Sequence, residues 1–328
     1  MDAHGRQIAF EVCRAKPAPR VVHALTTGSL GLDSALGTGG LPRGYITEIF
    51  GPESCGKSTL ALHLIAEAQA RGNIAALIDA ERSFDPRYAA TVGVDLDGLV
   101  LSQPETGEKA LQIVELLLRS QTVDLVAVDS AAALVPDAEL SGAVGDTHPG
   151  LQRRMLSHAL RRLALAAFRG GACVLFLNQL RGRPDTGVGE PVAAAGGPAL
   201  ALYAAIRVRL DPVRGPALRV TARVQRNRLA RPGAVVTLEF TLDRGLRREA
   251  ELLDLGLAHG LVAERNSQFS VDGTTLGGNR EEAIERLRSE RNLAASLSSD
   301  LRAAMGLPMP PGAFRTTDRV SNRARNRS

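Results

Sequence analysis

The most chemically informative stretch of the sequence is residues 51–59, Gly-Pro-Glu-Ser-Cys-Gly-Lys-Ser-Thr, which match G-x-x-x-x-G-K-[ST] in full. Glycines in such a loop let backbone N–H groups turn towards an anion, and the following helix adds partial positive charge. The pattern assigns Lys57 to the β- and γ-phosphates and Ser58 to Mg²⁺. We therefore predict a nucleoside triphosphate site formed by Gly51, Pro52, Glu53, Ser54, Cys55, Gly56, Lys57, Ser58 and Thr59. The alternative, a glycine-rich turn without function, is disfavoured by the strand-like segment before the loop and the helical segment after it.

Arginine supplies almost all of the positive charge in this chain. The sequence has 40 Lys and Arg residues, but the lysines are only Lys16, Lys57 and Lys109. A compact ammonium fits between phosphates where a planar guanidinium does not. The use of a rare lysine in the loop therefore indicates a chemical requirement at position 57.

Polar side chains follow three other apolar, strand-like segments. Asp129 ends one of them, Glu81 lies just after a second, and Gln179 follows a third. The carboxyl ends of parallel strands meet at one edge of a sheet, so these groups are expected beside the phosphate loop. We predict that Asp129 holds Mg²⁺ through its water shell, that a carboxylate of Asp79 or Glu81 polarises the attacking water, and that an amide of Asn178 or Gln179 contacts the γ-phosphate. A solvated acid after a strand is the alternative for the second of these roles.

The spacing of apolar residues predicts an α/β fold. Helices alternate with strands in the first part of the chain, which implies a mostly parallel, twisted sheet covered on both faces. The later strands follow one another directly and predict an antiparallel extension at one edge. Strands are predicted at residues 45–50, 74–78, 99–101, 125–128, 174–177, 206–210, 218–224 and 235–242, and helices at 29–36, 60–70, 88–91, 108–120 and 151–168.

Shifts in composition divide the chain into four parts. Residues 1–24 form a short polar arm, and residues 25–244 hold the phosphate loop and the predicted sheet. Residues 245–306 predict a small C-terminal α/β lobe, in which we expect helices at 248–259 and 280–291 joined by short turns. Residues 307–328 form a basic tail that is expected to be disordered.

Bulk composition limits the classes of function. The chain is 44% hydrophobic and 23% charged, and it has neither a membrane-length apolar run nor a signal-peptide core, so we expect a cytoplasmic protein without a membrane partner. Three widely spaced cysteines predict reduced thiols and neither a disulfide framework nor a zinc site. A net charge of +5 permits nucleic acid as a partner, while the absence of Trp and the 3% aromatic content disfavour base stacking.

Further motifs make the chain resemble the bacterial RecA recombinase family. Besides the phosphate loop, they include Asp85-Pro-Arg-Tyr88, Asn178-Gln-Leu-Arg181 and Gln225-Arg-Asn-Arg228. The others lie at residues 79–81, 102–107, 128–134, 145–148 and 196–197, and all recur in family order between about residues 24 and 305. The resemblance implies a RecA-type P-loop ATPase core with a small C-terminal lobe.

The resemblance also implies an activity. Members of this family are DNA-dependent ATPases that bind ATP and Mg²⁺ and polymerise as helical filaments on single-stranded DNA. They pair that strand with duplex DNA and exchange strands in recombinational repair, and they support the SOS response through a LexA-type repressor. We expect the same activities and partners here.

Several residue roles come from the resemblance alone. Glu81 would activate water, and Gln179 would couple the γ-phosphate to the second DNA loop. Asp85 and Tyr88 would hold the adenine. Arg226 and Arg228 fall where the family carries two lysines that reach the next subunit's γ-phosphate. Arginine keeps the positive charge, so we expect ATPase activity to survive this replacement.

DNA contacts are assigned to two loops, at residues 138–150 and 182–195. Backbone N–H groups and arginine side chains of the flanking segments would grip phosphates. The residues so assigned are Arg154, Ser157, Arg161, Arg181, Gly196 and Gly197. For the arginines of the helix after the first loop, a solvated helix face is the alternative.

Most departures from the family concern DNA handling. The arm is short, the tail is basic, and Asp211 and Pro212 lie in a stretch that is typically basic. Pro149, Pro184 and Val188 stand where bulkier apolar wedges are usual, and Leu242 replaces a tyrosine near the adenine. A second hypothesis is therefore an accessory or regulatory paralog that binds ATP and DNA without full strand exchange. A hexameric helicase motor of related fold is disfavoured, because we expect no separate helicase N-terminal domain and the chain carries the RecA-type loops.

Overall fold

The computed structural model describes residues 22–143, 150–181, 193–194, 197–215 and 218–308. Most of the predicted arm and tail therefore lies outside the described residues. So do much of both predicted DNA loops and the candidate residues Pro149, Pro184, Val188 and Gly196. Of Arg181 only the backbone is described.

The helices and strands alternate along the chain as the sequence predicts. In the core they are β1 (Ala24–Leu25), α1 (Leu30–Leu36), β2 (Leu41–Pro42), β3 (Ile46–Gly51), α2 (Lys57–Ala70), β4 (Ala75–Asp79), α3 (Pro86–Val92), β5 (Val100–Ser102), α4 (Gly107–Ser120), β6 (Leu125–Asp129), α5 (Asp137–Leu140), α6 (Leu151–Gly170), β7 (Cys173–Arg181), β8 (Ala193–Ala194), α7 (Pro198–Tyr203), β9 (Ile206–Val213), β10 (Leu218–Asn227), β11 (Val235–Thr241) and β12 (Gly245–Leu246). The lobe adds α8 (Arg248–Ala258), β13 (Val262–Arg265), β14 (Gln268–Val271), β15 (Thr274–Gly277), α9 (Arg280–Ser289) and α10 (Arg291–Ala304).

One sheet runs through the core in the order β12-β11-β10-β9-β3-β7-β6-β4-β5, with β8 paired to β7. The strands from β9 through β3 to β5 are parallel. The strands from β9 to β12 are antiparallel. The predicted parallel sheet with an antiparallel extension is therefore confirmed, and the carboxyl ends of β3, β4, β6 and β7 lie at one edge.

Apolar side chains cover both faces of this sheet. In β6, Leu125 and Ala127 join one buried cluster, and Val126 and Val128 join the other, because successive side chains of a strand point to opposite faces. Helix α2 packs on the first face, and helices α4 and α6 pack on the second. Such double burial requires continuous apolar strands, as the sequence shows.

Local capping fixes several helix ends. The Ser29 hydroxyl accepts a hydrogen bond from the N–H of Leu32 at 3.0 Å, so α1 begins at Leu30. Gly37 ends the same helix with φ of 66°, a conformation that favours glycine. Thr106 caps α4 through the N–H of Lys109. These caps explain why the observed helix starts lie close to those predicted.

The C-terminal lobe contains more β-structure than the predicted helices and short turns. Its strands β13, β14 and β15 form an antiparallel sheet that packs with α8, α9 and α10 around a third apolar core. Two-residue turns at Asn266-Ser267 and Asp272-Gly273 join the strands, with positive φ at all four residues. Asp-Gly is a strong hairpin signal, but four-residue strands with mixed polarity are difficult to detect from periodicity.

Buried polar contacts attach the lobe to the core. Arg302 of α10 forms an ion pair with Asp33 of α1 at 2.6 Å, and its guanidinium also donates to the Thr26 hydroxyl. The carboxylate of Glu251, in α8, accepts bonds from the Ser29 hydroxyl and from the first N–H groups of α1. The lobe therefore caps and orients a helix of the core. Over the described ranges, no helix is both long and apolar enough to cross a lipid bilayer.

Candidate active site

The phosphate loop connects β3 to α2 at the carboxyl edge of the sheet. Gly51 approaches β9 so closely that a Cβ atom there would lie 2.4 Å from the Leu210 carbonyl oxygen. Gly56 is the N-cap of α2 with φ of 82°, and among the described residues no side chain caps the helix. The first N–H groups of α2 are therefore available to an anion, as the sequence predicts.

Lys57 is folded into the loop. Its Nζ donates to the Pro52 carbonyl at 2.5 Å and to the Gly51 carbonyl at 3.3 Å, and only 8% of the residue is exposed. The loop's own carbonyls therefore position the ammonium close to the uncapped N–H groups. Cys55 is buried in the same loop, and burial raises the pKa of its thiol, which supports a packing role for it.

Asp129 ends β6 and receives a hydrogen bond from Ser58. Burial raises the pKa of Asp129 to about 6, and the neighbouring carboxylates of Glu81 and Asp79 act in the same direction. A divalent cation would reverse this effect by favouring the ionised form. Ser58 and Asp129, predicted as the metal site, therefore lie together, and their oxygen atoms suit Mg²⁺.

Few protein ligands surround this point. Across the described ranges, no group of three or more His, Cys, Asp or Glu side chains could hold a metal ion. Mg²⁺ is commonly bound through one or two carboxylates together with substrate phosphates and water. The donor set fits a cation that arrives with a nucleotide.

Glu81 lies beside Asp129 and Gln179. The backbone N–H groups of Ala80 and Glu81 donate to the Asp129 carbonyl, which ties the end of β4 to that of β6. The Glu81 carboxylate accepts one hydrogen bond from the Ser130 hydroxyl and another, at 2.9 Å, from Gln179 Nε2. The structure therefore brings the predicted base, the predicted metal ligand and the predicted γ-phosphate contact to one place. Ser130 had not been assigned a role from the sequence.

Asp79 and Glu81 have different environments. Asp79 is buried, and its carboxylate accepts hydrogen bonds from the N–H groups of Ser83 and Phe84 and from the Gln103 amide. These bonds fix the chain after β4. Glu81 is exposed and lines the cavity beside the phosphate loop. Of the two acids, Glu81 is therefore the one available to a reacting group.

The cavity beside the loop has a volume of about 520 Å³. Besides Gly56, Lys57, Ser58 and Thr59, its walls include Glu53, Ser54, Glu81, Tyr88, Asp129, Gln179, Leu218, Phe240, Thr241 and Leu242. Leu242 is 86% exposed at this wall. No pattern in the sequence assigns Leu218, Phe240 and Thr241 to the site, because they come from the distant strands β10 and β11.

The two residues assigned to adenine differ in their contacts. The Tyr88 hydroxyl lies 3.2 Å from the Thr59 hydroxyl, at the end of the phosphate loop. Asp85 is the N-cap of α3, and its carboxylate accepts bonds from the N–H groups of Arg87 and Tyr88. Asp85 thus orients the helix that carries Tyr88, and its contact with adenine stays a prediction.

Arg226 and Arg228 lie at the end of β10 and do not line the cavity of their own chain. Their guanidinium groups donate to the carbonyls of Ala201 and Leu202, at the C-terminus of α7. Helix α7 follows the second predicted DNA loop directly. The two arginines therefore contact the segment that leaves this loop.

The residues assigned to DNA lie on or next to three elements. Arg154, Ser157 and Arg161 share one face of α6, because they are three and four residues apart. Arg161 Nε donates to the Tyr203 hydroxyl of α7 at 3.3 Å. Gly197 precedes α7 with φ of 74°, and the backbone of Arg181 pairs with Ala193. The helix after the first predicted loop, α6, therefore contacts the helix after the second, α7.

Known proteins share this architecture and these motifs. A family model described as the RecA N-terminal domain matches residues 5–247. The Protein RecA of Acidiphilium cryptum is 46% identical over 295 residues, which covers 87% of this chain and 85% of that protein. The chain belongs to the bacterial RecA family.

Other relatives agree with this assignment to the RecA family. The Protein RecA of Frankia casuarinae is 43% identical over 87% of this chain, and that of Acidothermus cellulolyticus is 42% identical over 93%; the alignments cover 85% and 90% of those proteins. The crystal structure of the RadB recombinase is similar with a TM-score of 0.53 and 26% sequence identity, over 68% of this chain and 98% of that one. The predicted RecA-type core is thus confirmed.

Proposed function

We propose that this chain is a DNA-stimulated ATPase and recombinase. It forms ATP-bound helical filaments on single-stranded DNA and catalyses homologous pairing and strand exchange with duplex DNA. The observation that carries this proposal is the hydrogen bond between Gln179 and Glu81, which joins the end of β7 to the phosphate-loop cavity. A change at the second DNA loop can therefore alter the environment of the proposed general base.

The residues of the site divide the chemistry among themselves. The N–H groups of α2 and Lys57 bind the β- and γ-phosphates, and Ser58 and Asp129 hold Mg²⁺. Bound ATP and Mg²⁺ supply the transferable phosphoryl group and a cation that neutralises its charge. Glu81 accepts a proton from water, and Gln179 donates to a γ-phosphate oxygen. Tyr88 and Asp85 define the adenine end of the site.

A neighbouring subunit completes the site in this proposal. Arg226 and Arg228 stand apart from their own cavity and reach the next subunit's γ-phosphate.

DNA phosphates are contacted by residues on or next to the two predicted loops, namely Arg154, Ser157, Arg161, Arg181, Gly196 and Gly197. Residues 25–244 act as the ATPase core and residues 245–306 as a smaller lobe, while residues 1–24 and 307–328 are an arm and a basic tail. Recombinational repair in the cytoplasm, the SOS response and a LexA-type partner belong to the same proposal.

One observation favours the second candidate, an accessory paralog that does not exchange strands. Arg209 forms an ion pair with Asp211 at 2.8 Å, so the acid neutralises an arginine in a stretch that the family usually keeps basic. This weakens an electrostatic surface for a second DNA strand.

Strand exchange between circular single-stranded DNA and linear duplex, with ATP and Mg²⁺, tests the proposal. A recombinase yields joint molecules. If DNA stimulates ATP hydrolysis but no joint molecules form, the accessory function is the correct one. If DNA does not stimulate hydrolysis at all, the proposed recombinase function is wrong.

A further inference from the structure

A polar cluster lies under the phosphate loop, in the middle of the parallel strands. It consists of Glu48 in β3, Asn178 in β7 and Arg207 in β9. Glu48 and Asn178 are fully buried, and the Arg207 side chain is largely buried. Asn178 Nδ2 donates to Glu48 Oε1 at 2.9 Å, and Arg207 Nε donates to Glu48 Oε2. One carboxylate therefore joins three adjacent strands.

Stability alone is a weak explanation for this cluster. Backbone hydrogen bonds already join β7, β3 and β9. Moving a carboxylate and a guanidinium out of water costs several kcal/mol, and apolar residues of similar volume often serve a core equally well. The groups that the two ends of the cluster contact suggest another role.

One end of the cluster contacts the proposed sensor of the γ-phosphate. Asn178 Oδ1 accepts a hydrogen bond from the backbone N–H of Gln179 at 2.9 Å, and the Gln179 side chain contacts Glu81. The Asn178 amide is thus held by Glu48 on one side and holds the Gln179 backbone on the other. This pair of bonds therefore links Glu48 to the backbone of Gln179.

The other end contacts the base of the phosphate loop. The Arg207 guanidinium lies 4.4 Å from the centre of the Phe50 ring, and Phe50 precedes Gly51. Arg207 is also the register partner of Arg226 on β10. The cluster therefore links Gln179 to β10. This strand carries Arg226, which is assigned to the γ-phosphate of the next subunit.

We propose that Glu48 is a positioning residue for DNA-stimulated hydrolysis. It orients Gln179 through Asn178, and it anchors this arrangement through Arg207 to the phosphate loop and to the strand of Arg226. Glu48 contacts neither nucleotide nor water in this role. The inference rests on the proposed function, because it concerns the response of the ATP site to DNA.

A charge exchange between two positions tests the role of Glu48. Glu48→Gln removes the carboxylate, and Asn178→Asp places two carboxylates against each other. In the double variant the new amide at position 48 can donate to the new carboxylate at 178 and still accept from Arg207 Nε. The Gln179 N–H also keeps its acceptor. All the bonds described above can therefore form again, with the negative charge moved from position 48 to position 178.

We expect each single variant to lose about 10-fold in the DNA stimulation of ATP hydrolysis, because displaced catalytic groups lower rates strongly. The double variant should recover most of the loss, which is a coupling that independent sites do not show. Crystal structures of the nucleotide-free proteins supply a readout besides activity. Gln179 Nε2 should leave Glu81 in the single variants and return in the double variant.

Arg302→Met is the matched control, because it breaks another buried ion pair, whose two residues do not line the cavity. It should reduce thermal stability without changing the DNA stimulation ratio, measured well below the unfolding temperature. If Glu48→Gln keeps full DNA stimulation, or if the double variant shows only the sum of two losses, the positioning role is wrong. If the wild-type protein shows no DNA stimulation, the proposed function itself has failed, which is a different outcome.

Discussion

The Gln179 side chain donates a hydrogen bond from Nε2 to Glu81 Oε1 at 2.9 Å, although the two residues are 98 positions apart in the sequence. The bond joins the strand before the second predicted DNA loop to the carboxylate that lines the phosphate-loop cavity. An amide can exchange this acceptor for a γ-phosphate oxygen, because its NH₂ group donates to either. In the proposed function, this pair is the route between DNA and ATP.

Gln179→Leu removes the donor while keeping a similar volume. We expect the DNA stimulation of ATP hydrolysis to fall by about 10-fold or more, because an interaction with the transferred group is lost. ATP affinity without DNA should change by less than about threefold. Steady-state hydrolysis with and without single-stranded DNA measures the first effect, and equilibrium nucleotide binding measures the second. Gln112→Leu, at an exposed position of α4, is the control, and equal behaviour of the two variants would contradict the sensor role.

Lys57→Ala removes the ammonium from the phosphate loop. We expect nucleotide-dependent filaments to disappear, because the charge that holds the β- and γ-phosphates is lost. Electron microscopy with single-stranded DNA and a slowly hydrolysed ATP analogue measures this. Lys109→Ala is a matched control, since Lys109 is an exposed lysine paired with Glu105 on the surface. Filaments of normal length from Lys57→Ala would overturn the assignment of the loop.

Arg226→Ala combined with Arg228→Ala should keep ATP binding, because both arginines lie away from the cavity of their own chain. The double variant should lose DNA-stimulated hydrolysis, because in the proposed function the two arginines reach the next subunit's γ-phosphate. Arg219→Ala with Arg223→Ala changes the same strand, β10, and should leave hydrolysis largely intact. ATP turnover and nucleotide binding are measured on each purified variant.

A mixture of variants decides whether the two arginines act across an interface. The Arg226 and Arg228 double variant keeps its phosphate loop, and the Lys57→Ala protein keeps its arginines. If neighbours share a site, mixing the two inactive proteins restores part of the hydrolysis. If the arginines act within their own chain, the mixture stays inactive and the shared site is refuted.

His63 predicts a pH dependence of folding. It lies on α2, where its Nε2 accepts a hydrogen bond from the Leu246 N–H at 2.6 Å, and in the described part of the chain its Nδ1 has no partner. Burial, and to a smaller extent the nearby Arg248, lower the pKa of His63 from 6.5 to about 3, against an opposing effect of Glu67. Between these pH values the unfolded chain binds a proton that the folded chain does not.

Stability from the neutral His63 should therefore be complete above about pH 6.5 and decrease as the pH falls towards 3. The loss is about 1.4 kcal/mol per pH unit, or roughly 2 kcal/mol at pH 5. His63→Gln keeps an acceptor for the Leu246 N–H and does not titrate. Urea unfolding between pH 5 and 7.5 should show a smaller pH dependence for this variant than for the wild type. Identical profiles would contradict the prediction.

Arg302→Met breaks the buried ion pair between the lobe and α1. The free energy of unfolding should fall by about 3–5 kcal/mol, because Asp33 is left buried without its partner. Asp33→Leu together with Arg302→Met should recover much of this loss, since the uncompensated charge is then removed as well. Denaturant unfolding measures both values. A single variant as stable as the wild type would show that the pair does not hold the lobe in place.

Sequence reasoning located the central chemistry because that chemistry is local. Nine consecutive residues form the phosphate loop, and their neighbours in the chain supply the strand and helix that shape it. The alternation of apolar runs likewise predicted the parallel sheet, because burial on both faces requires continuous apolar strands. Family motifs then assigned Glu81, Asp129 and Gln179 to one site, and the structure places these three together.

The sequence by itself determined the phosphate loop, the class of fold and the family. Only the tertiary structure decided that Glu81 and not Asp79 faces the cavity, that β10 and β11 supply a wall of the site, and that β13, β14 and β15 form a sheet in the lobe. Periodicity reports which face of an element is buried, but strand order and long-range polar contacts depend on how the elements pack. The cluster around Glu48 is such a contact, since its three residues come from strands separated by up to 159 positions and meet only in the assembled sheet.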